Sequence, residues 1–258
     1  MTAPVTDPAT DPPTDAMNAG ARATATARPL AAGMRRLLAP RCLMCDLERG
    51  DPLCTPCTRD FLAPVPRCDV CGLRLNGSSA SRCGACLRSP PAFDATVTLA
   101  DYAAPVDGLI IGLKFGHRLD IAAALGRLLA EPLATRTAPD AWVIPVPLAF
   151  ERQRSRGFNQ ALEIARVAAR LAGRRLLAGA LLRAHHRAPQ ESLTLAQRRG
   201  NVRGAFVVPE AARATLAGRE VVVVDDVMTT GSTLDEIARL LRDAGAAHIV
   251  NAVVARTP

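Results

Sequence analysis

Residues 221–234 read VVVVDDVMTTGSTL, in which four β-branched apolar residues run directly into two adjacent aspartates and then into threonine, glycine and serine. Such a run predicts a strand buried on both faces, then a turn, then a helix whose stripe of Leu234, Ile237, Ala238 and Leu241 recurs at helical spacing before Gly245. Strands buried on both faces belong to parallel sheets covered by helices on each side. The rest of the chain must therefore supply parallel partners and covering helices.

It carries the signals for both. FDATVTLADY (93–102) alternates as a strand, and residues 105–133 read as a helix, a break at Gly116, and a second helix expected to end before Pro132. AWVIPVPL (141–148) is a short buried strand closed by Pro145 and Pro147. NQALEIARVAARLA (159–172) is helical, with apolar Leu162, Ile164 and Val167, and stops at Gly173. A further strand is expected within 174–182, an irregular segment from Arg183 to Gly204, a short return strand at 205–208, a strand at 221–225, a helix at 232–244 and a last strand at 248–255. Alternating strands and helices give the fold class: α/β, a mostly parallel sheet with helices on both faces.

In open parallel sheets ligands lie at the carboxyl ends of the strands, which is where Asp225 and Asp226 are expected. Two adjacent carboxylates are costly unless a metal ion, ligand hydroxyls or a helix N-terminus offsets them. The turn Thr229, Thr230, Gly231, Ser232, Thr233 offers small residues, hydroxyls and the amide-lined start of a helix, all suited to an anion. Ser232 with Asp235 also has the spacing of a capping box, a reading that leaves the aspartates unexplained. A P-loop ATPase strand likewise ends in Asp, but its phosphate loop requires a Gly-Lys pair, and the chain has none.

All eight cysteines fall in residues 42–86, as Cys42-x-x-Cys45, Cys54-x-x-Cys57, Cys68-x-x-Cys71 and Cys83-x-x-Cys86. Two residues between thiols let one turn aim both sulfurs at a tetrahedral ion, so four pairs make two structural zinc sites. Pairing in sequence order is the first expectation, and interleaved pairing satisfies the same spacings. Disulfides are the alternative in an oxidising compartment.

With 32 Lys+Arg against 24 Asp+Glu, the chain carries a formal charge of +8 and favours anionic partners. The excess is local: Glu151 to Arg203 holds twelve arginines and three glutamates, while Lys114 is the only lysine. Residues 1–30, rich in Thr, Pro, Ala and Asp, are expected to form a disordered tail. They lack the apolar core of a secretion signal, and no run is long enough to span a bilayer. The expectation is a cytoplasmic protein without membrane insertion. His185 and His186 sit in polar surroundings and are read as a surface loop rather than a general base.

VVVVDDVMTTGST resembles the phosphoribosyl-diphosphate binding motif of the type I phosphoribosyltransferases. Around it, IPVPLAFERQRSRGFNQA (144–161) and QESLTLAQRRGNVRGAF (190–206), with the preceding cysteine pairs, resemble the ComF-type competence proteins, a branch with N-terminal zinc ribbons. The resemblance implies a double zinc ribbon over 40–90 and a transferase-like domain over 93–258. It implies Asp225 and Asp226 on the ribose hydroxyls as the catalytic pair, Thr229 to Thr233 on the 5-phosphate, Pro145 to Leu148 as the pyrophosphate loop, and 184–205 as a loop closing over the site. Lys114 and Arg156 are the diphosphate candidates, and magnesium would accompany phosphoribosyl diphosphate. The acceptor is not legible, so catalysis is one expectation and a non-catalytic protein handling single-stranded DNA, or working with DNA-uptake proteins, is the other. Against the second stands a shortage of aromatics: only Phe158 is interleaved with the basic residues, and a core or loop anchor is its expected role.

Overall fold

The computed structural model describes residues 39–77, 80–184 and 204–258. The expected tail at 1–30, His185 and His186, and all but the ends of the loop at 184–205 lie outside them. In chain order the elements are α1 (Thr55–Phe61), α2 (Gly84–Arg88), β1 (Ala95–Asp101), α3 (Val106–Gly116), α4 (Leu119–Arg136), β2 (Trp142–Pro145), α5 (Phe150–Arg156), α6 (Gln160–Ala172), β3 (Arg175–Leu176), β4 (Leu182–Arg183), β5 (Phe206–Val207), α7 (Glu210–Leu216), β6 (Glu220–Met228), α8 (Ser232–Asp243) and β7 (His248–Arg256). Five strands form a parallel sheet in the order β1-β7-β6-β2-β3, and β4 pairs with β5 in a separate antiparallel ribbon.

The valines of β6 divide between two cores, as the two-residue period of a strand requires. Val222 and Val224 pack with α3, α4 and α6, whereas Val221 and Val223 pack with α8 and Leu216. The zinc-ribbon region divides in the same way. Leu43, Met44 and Leu53 of the first ribbon lean on the α3/α4 face, while Cys68, Val70, Cys71, Cys83 and Cys86 of the second belong to the core under α8. Thr96 of β1 fixes the second ribbon through its backbone N–H to Asp69 O at 3.0 Å and its hydroxyl to Val70 O at 2.6 Å. Residues 39–258 form one compact unit.

Two local expectations are corrected, and the packing of α6 is defined. The helix at 119 does not end before Pro132 but runs through it to Arg136. Leu129, Ala130 and Leu133 are buried on its core side, and their packing outweighs the one backbone hydrogen bond that proline removes. The buried face of α6 is Ala161, Ile164, Ala165, Ala168, Ala169 and Ala172, with Leu162 and Val167 only partly covered. Small side chains are needed there because α4 comes very close: a Cβ on Gly126 would lie 2.7 Å from Val167 Cβ and 2.8 Å from Ile164 O. Finally, β6 continues beyond residue 225 to Met228, because β7 keeps pairing with it as far as Met228↔Arg256.

Helices α5 and α7 were not legible. No residue of α5 is buried, so it has no apolar period to read. Among the described residues no helix is long and apolar enough to cross a membrane.

Candidate functional site

From β2 the chain passes through α6 to β3 at one edge, then returns to the centre at β6 and moves through α8 to β7 on the other side. The reversal falls between β2 and β6, with α6 and α8 on opposite faces. This is the switch point at which open α/β sheets form their ligand crevice. On the β2 side, pairing stops at Pro145↔Val224, one residue before the aspartates. The Val146 N–H still donates to Val224 O at 2.9 Å, and beyond it β2 no longer pairs with β6, so Asp225 and Asp226 have no strand partner on that side.

Asp226 is 4% exposed and points toward α3, where Lys114 Nζ stands 2.8 Å from its Oδ2. The contact is an ion pair rather than an aligned hydrogen bond, since Oδ2 has no hydrogen-bond partner among the described residues. Asp225, partly buried, accepts the Asp226 backbone N–H at 2.9 Å. Burial first, and the Asp226 carboxylate second, push the Asp225 carboxyl up to about 8, against the smaller pull of that N–H and of Lys114. The upward shift favours the protonated form of Asp225 beside its neighbour, which eases the like-charge conflict that the sequence poses.

The turn after β6 places Gly231 at φ +84°, the left-handed region, as the N-cap of α8. The conformation calls for glycine, and a Cβ there, 2.5 Å from Met228 Cε, would also push that methyl aside. Thr230 Oγ1 accepts the Ser232 N–H at 3.3 Å and meets Ser232 Oγ at 3.0 Å. The capping-box reading does not hold: Asp235 Oδ1 instead accepts the Ala92 N–H at 2.7 Å, tying α8 to the chain leaving the second ribbon. At the start of α8 the Ser232 N–H is taken by Thr230 Oγ1, and the N-cap Gly231 supplies no side-chain cap.

Lys114 and Arg156, the diphosphate candidates, each lie in the last turn of a helix, α3 and α5. Phe115 relates them, its ring 5.5 Å from the Arg156 guanidinium, and Arg156 also donates to Gln160 Oε1 at 2.6 Å. The structure joins Lys114 to the aspartates and gives Arg156 these other partners. Phe158 is partly buried against the core and edge-on to His117, with ring centroids 5.9 Å apart. Sequence reading missed Arg256, a buried guanidinium that carries no motif of its own. It also missed the pairing of Phe115 and Phe150 with arginines, which depends on helix ends meeting in space.

The cysteines gather in sequence order: Cys42, Cys45, Cys54, Cys57, and Cys68, Cys71, Cys83, Cys86, each with its sulfurs within 4.8 Å of one another. The two quartets share one construction. The third cysteine N-caps a short helix that presents the fourth, and its N–H donates to the sulfur of the first, Cys54 to Cys42 at 3.4 Å and Cys83 to Cys68 at 3.3 Å. The Cys45–Cys54 and Cys71–Cys83 sulfurs are 3.8 Å and 3.7 Å apart. That matches the edge of a tetrahedron with zinc–sulfur bonds of about 2.3 Å, not a disulfide. Burial opposes ionisation of Cys42 and Cys83, yet N–H donors led by Cys54 and Cys86 bring those thiols down to about 6 and about 7. The donor sets fit structural zinc, with all four positions of each closed by the protein.

The phosphoribosyl transferase domain family matches residues 123–258, and the double zinc ribbon domain family matches 33–87. DNA utilization protein YhgH of Escherichia coli O6:H1 is 39% identical over 203 residues, 76% of this chain and 87% of its own. Competence protein F of Haemophilus influenzae is 36% identical over 223 residues, 81% of this chain and 93% of its own. Adenine phosphoribosyltransferase of Rhodococcus opacus is 62% identical over a shorter 39 residues, 15% of this chain and 22% of its own. More than a third identical to both longer relatives across alignments that span most of their length, the chain belongs to the ComF-type competence branch of the phosphoribosyltransferase family.

Proposed function

We propose that the chain binds phosphoribosyl diphosphate, with magnesium, in the gap at the carboxyl end of β6, and that it serves a ComF-type role in the uptake or use of DNA. The observation that carries the ligand is Asp226 Oδ2, buried, charge-paired to Lys114 and without a hydrogen-bond donor among the described residues. A sugar hydroxyl is the neutral donor that such an oxygen lacks. Asp225, holding a proton when no ligand is present, takes up a second hydroxyl as it ionises.

Thr229 to Thr233 and the start of α8 receive the 5-phosphate, and the bend at Pro145 to Leu148 faces the diphosphate with Lys114 and Arg156 near it. In transfer, the bond from the anomeric carbon to the diphosphate oxygen breaks, its electron pair leaves with pyrophosphate, and a nucleophile bonds to that carbon. Carboxylates beside the ribose stabilise the positive charge that develops on the ring. Magnesium bound with the diphosphate supplies charge neutralisation of the leaving group. The acceptor is left open, and sensing of the ligand without transfer uses the same contacts.

The names of the relatives, a DNA utilization protein and a competence protein, support the cellular role. A second reading, handling of single-stranded DNA without catalysis, is favoured by one arrangement. The Arg154 guanidinium lies 5.8 Å from the Phe150 ring and that of Arg156 lies 5.5 Å from Phe115, and both rings are more than half exposed. Cations beside exposed rings are what a single strand uses for its phosphates and bases.

Calorimetric titration with phosphoribosyl diphosphate and magnesium tests the first reading. Asp225→Asn combined with Asp226→Asn is expected to abolish measurable binding, and unchanged affinity would sink the assignment.

A further inference from the structure

We propose that Arg256 is a positioning residue that couples the second zinc ribbon to the anion-binding turn. Metal held by Cys68, Cys71, Cys83 and Cys86 thereby sets the geometry of the turn, and a ligand in the turn in exchange slows loss of that metal. The identity of the ligand rests on the phosphoribosyl reading; the mechanical link does not.

Arg256 is the last residue of β7 and is 9% exposed. Its Nε donates to the carbonyl of Cys71 at 3.1 Å, on the knuckle of the second quartet. Its Nη1 donates to Met228 O at 3.3 Å, to Thr257 O at 2.6 Å and also to Thr229 O. These acceptors are all backbone carbonyls. A rigid guanidinium fork satisfied in this way holds the position of main chain rather than neutralising a charge. It spans two segments that are remote in sequence, the zinc knuckle and the first residues of the turn.

Each end of the link is stiff. On the ribbon side Gly72, directly after Cys71, has φ +69°, and a Cβ on it would fall 2.4 Å from Thr98 Oγ1 of β1, so the knuckle lies hard against the sheet. On the turn side Thr257 N–H donates to Met228 O at 3.0 Å, and the Met228 side chain occupies the space beside Gly231. One cavity of about 290 Å³ is lined by Cys71, Cys83 and Cys86 and also by Thr230, Gly231 and Ser232. A second tie runs from the ribbon's exit: Arg242 of α8 donates to Ala92 O at 2.6 Å and pairs with Asp94 at 2.7 Å.

A zinc knuckle keeps its turn only while the ion holds the sulfurs together. Metal loss therefore moves the Cys71 carbonyl, removes an acceptor from Arg256 and loosens the main chain at Met228 and Thr229. By linkage, whatever orders the turn must strengthen metal retention to the same degree. The first quartet packs on the opposite face and has no such connection through Arg256, so it serves as an internal control.

The test uses the full zinc-loaded chain, challenged with a chelator and an alkylating reagent, with mass spectrometry reporting which cysteines become labelled. Phosphoribosyl diphosphate with magnesium is expected to slow labelling of Cys68, Cys71, Cys83 and Cys86 about tenfold and to leave the first quartet unchanged. Arg256→Lys keeps the charge but not the fork; it is expected to lose that protection and to release second-site metal about tenfold faster even without ligand. Equal effects on both quartets, or a variant that behaves like the parent, overturns the proposal. If calorimetry finds no ligand binding to the parent chain, the phosphoribosyl reading fails, and ligand-free metal loss from Arg256→Lys still decides the link. Should that variant not fold, protection measured in the parent protein decides it alone.

Discussion

Lys114 Nζ stands 2.8 Å from Asp226 Oδ2, the ammonium side chain 22% exposed and the carboxylate side chain 6%. The chain's only lysine is thus the counter-ion of the aspartate that the parallel sheet buries. Removing one partner of such a pair leaves a charge without water or counter-ion. Lys114→Met is expected to destabilise the protein by about 3 kcal/mol, and addition of Asp226→Asn to recover part of that loss. Urea unfolding of the two variants measures both, and a double variant no better than the single would show that the pair is not the cause.

The raised Asp225 carboxyl makes stability depend on pH in a direction opposite to that of most carboxylates. The folded chain keeps a proton that the unfolded chain gives up at about pH 4, so the contribution of Asp225 to unliganded stability is greatest below that point. It falls as pH rises toward about 8, where the folded group also ionises. Asp225→Asn should flatten this decline in melting temperature between pH 5 and pH 8. Ligand hydroxyls favour the ionised carboxylate, so binding at pH 7 should release up to about one proton, read from the buffer dependence of the calorimetric enthalpy. A decline that persists in the Asn variant would assign it to another group.

Gly231→Ala tests the turn itself. Its φ of +84° penalises any Cβ, which would also displace the Met228 methyl, and the expected cost is about 1 to 2 kcal/mol. Affinity for phosphoribosyl diphosphate should fall by more than stability alone explains, because the amides of the first turn of α8 shift with the glycine. A variant with parental affinity would separate the turn from the ligand.

Elemental analysis should find two zinc ions per chain, one for each quartet. The quartets differ in what they support. The second lies within the core shared with Val221, Val223 and Ile249, whereas the first forms a small cluster with Met44 and Leu53. Cys83→Ser is therefore expected to lower the melting temperature more than Cys54→Ser, and the reverse order would contradict the packing described.

The exposed arginine face predicts a salt signature. If single-stranded DNA binds there, replacing Arg152, Arg154 and Arg156 together by alanine should reduce the slope of log affinity against log salt by about 2. Phe115→Ala with Phe150→Ala should weaken binding without changing that slope, since stacking releases no counterions. Fluorescence anisotropy across a salt series distinguishes the two effects, and an unchanged slope would remove this face from DNA contact.

Much of the site was legible because its parts are local. The strand from Val221, the turn through Gly231 and the stripe of α8 are contiguous, and backbone geometry ties each to its neighbours. The cysteine quartets were legible for the same reason, since each knuckle closes within a few residues. The continuation of β6 to Met228 was not, because a strand ends where its partner does, and here β7 continues while β2 has left at Pro145. Nor was the helix through Pro132, where packing from α6 overrides the local signal.

Spacing and residue type alone, then, determined the parallel α/β class, the thiolate pairs and the acid pair leading into a glycine turn, since each is settled by neighbours along the chain. Tertiary structure decided which groups answer one another: Lys114 opposite Asp226, each ribbon on its own face of the sheet, and Arg256 between a zinc knuckle and the turn. Those relationships depend on the order in which strands are laid side by side, and strand order follows from the burial of both faces at once rather than from any short run of sequence.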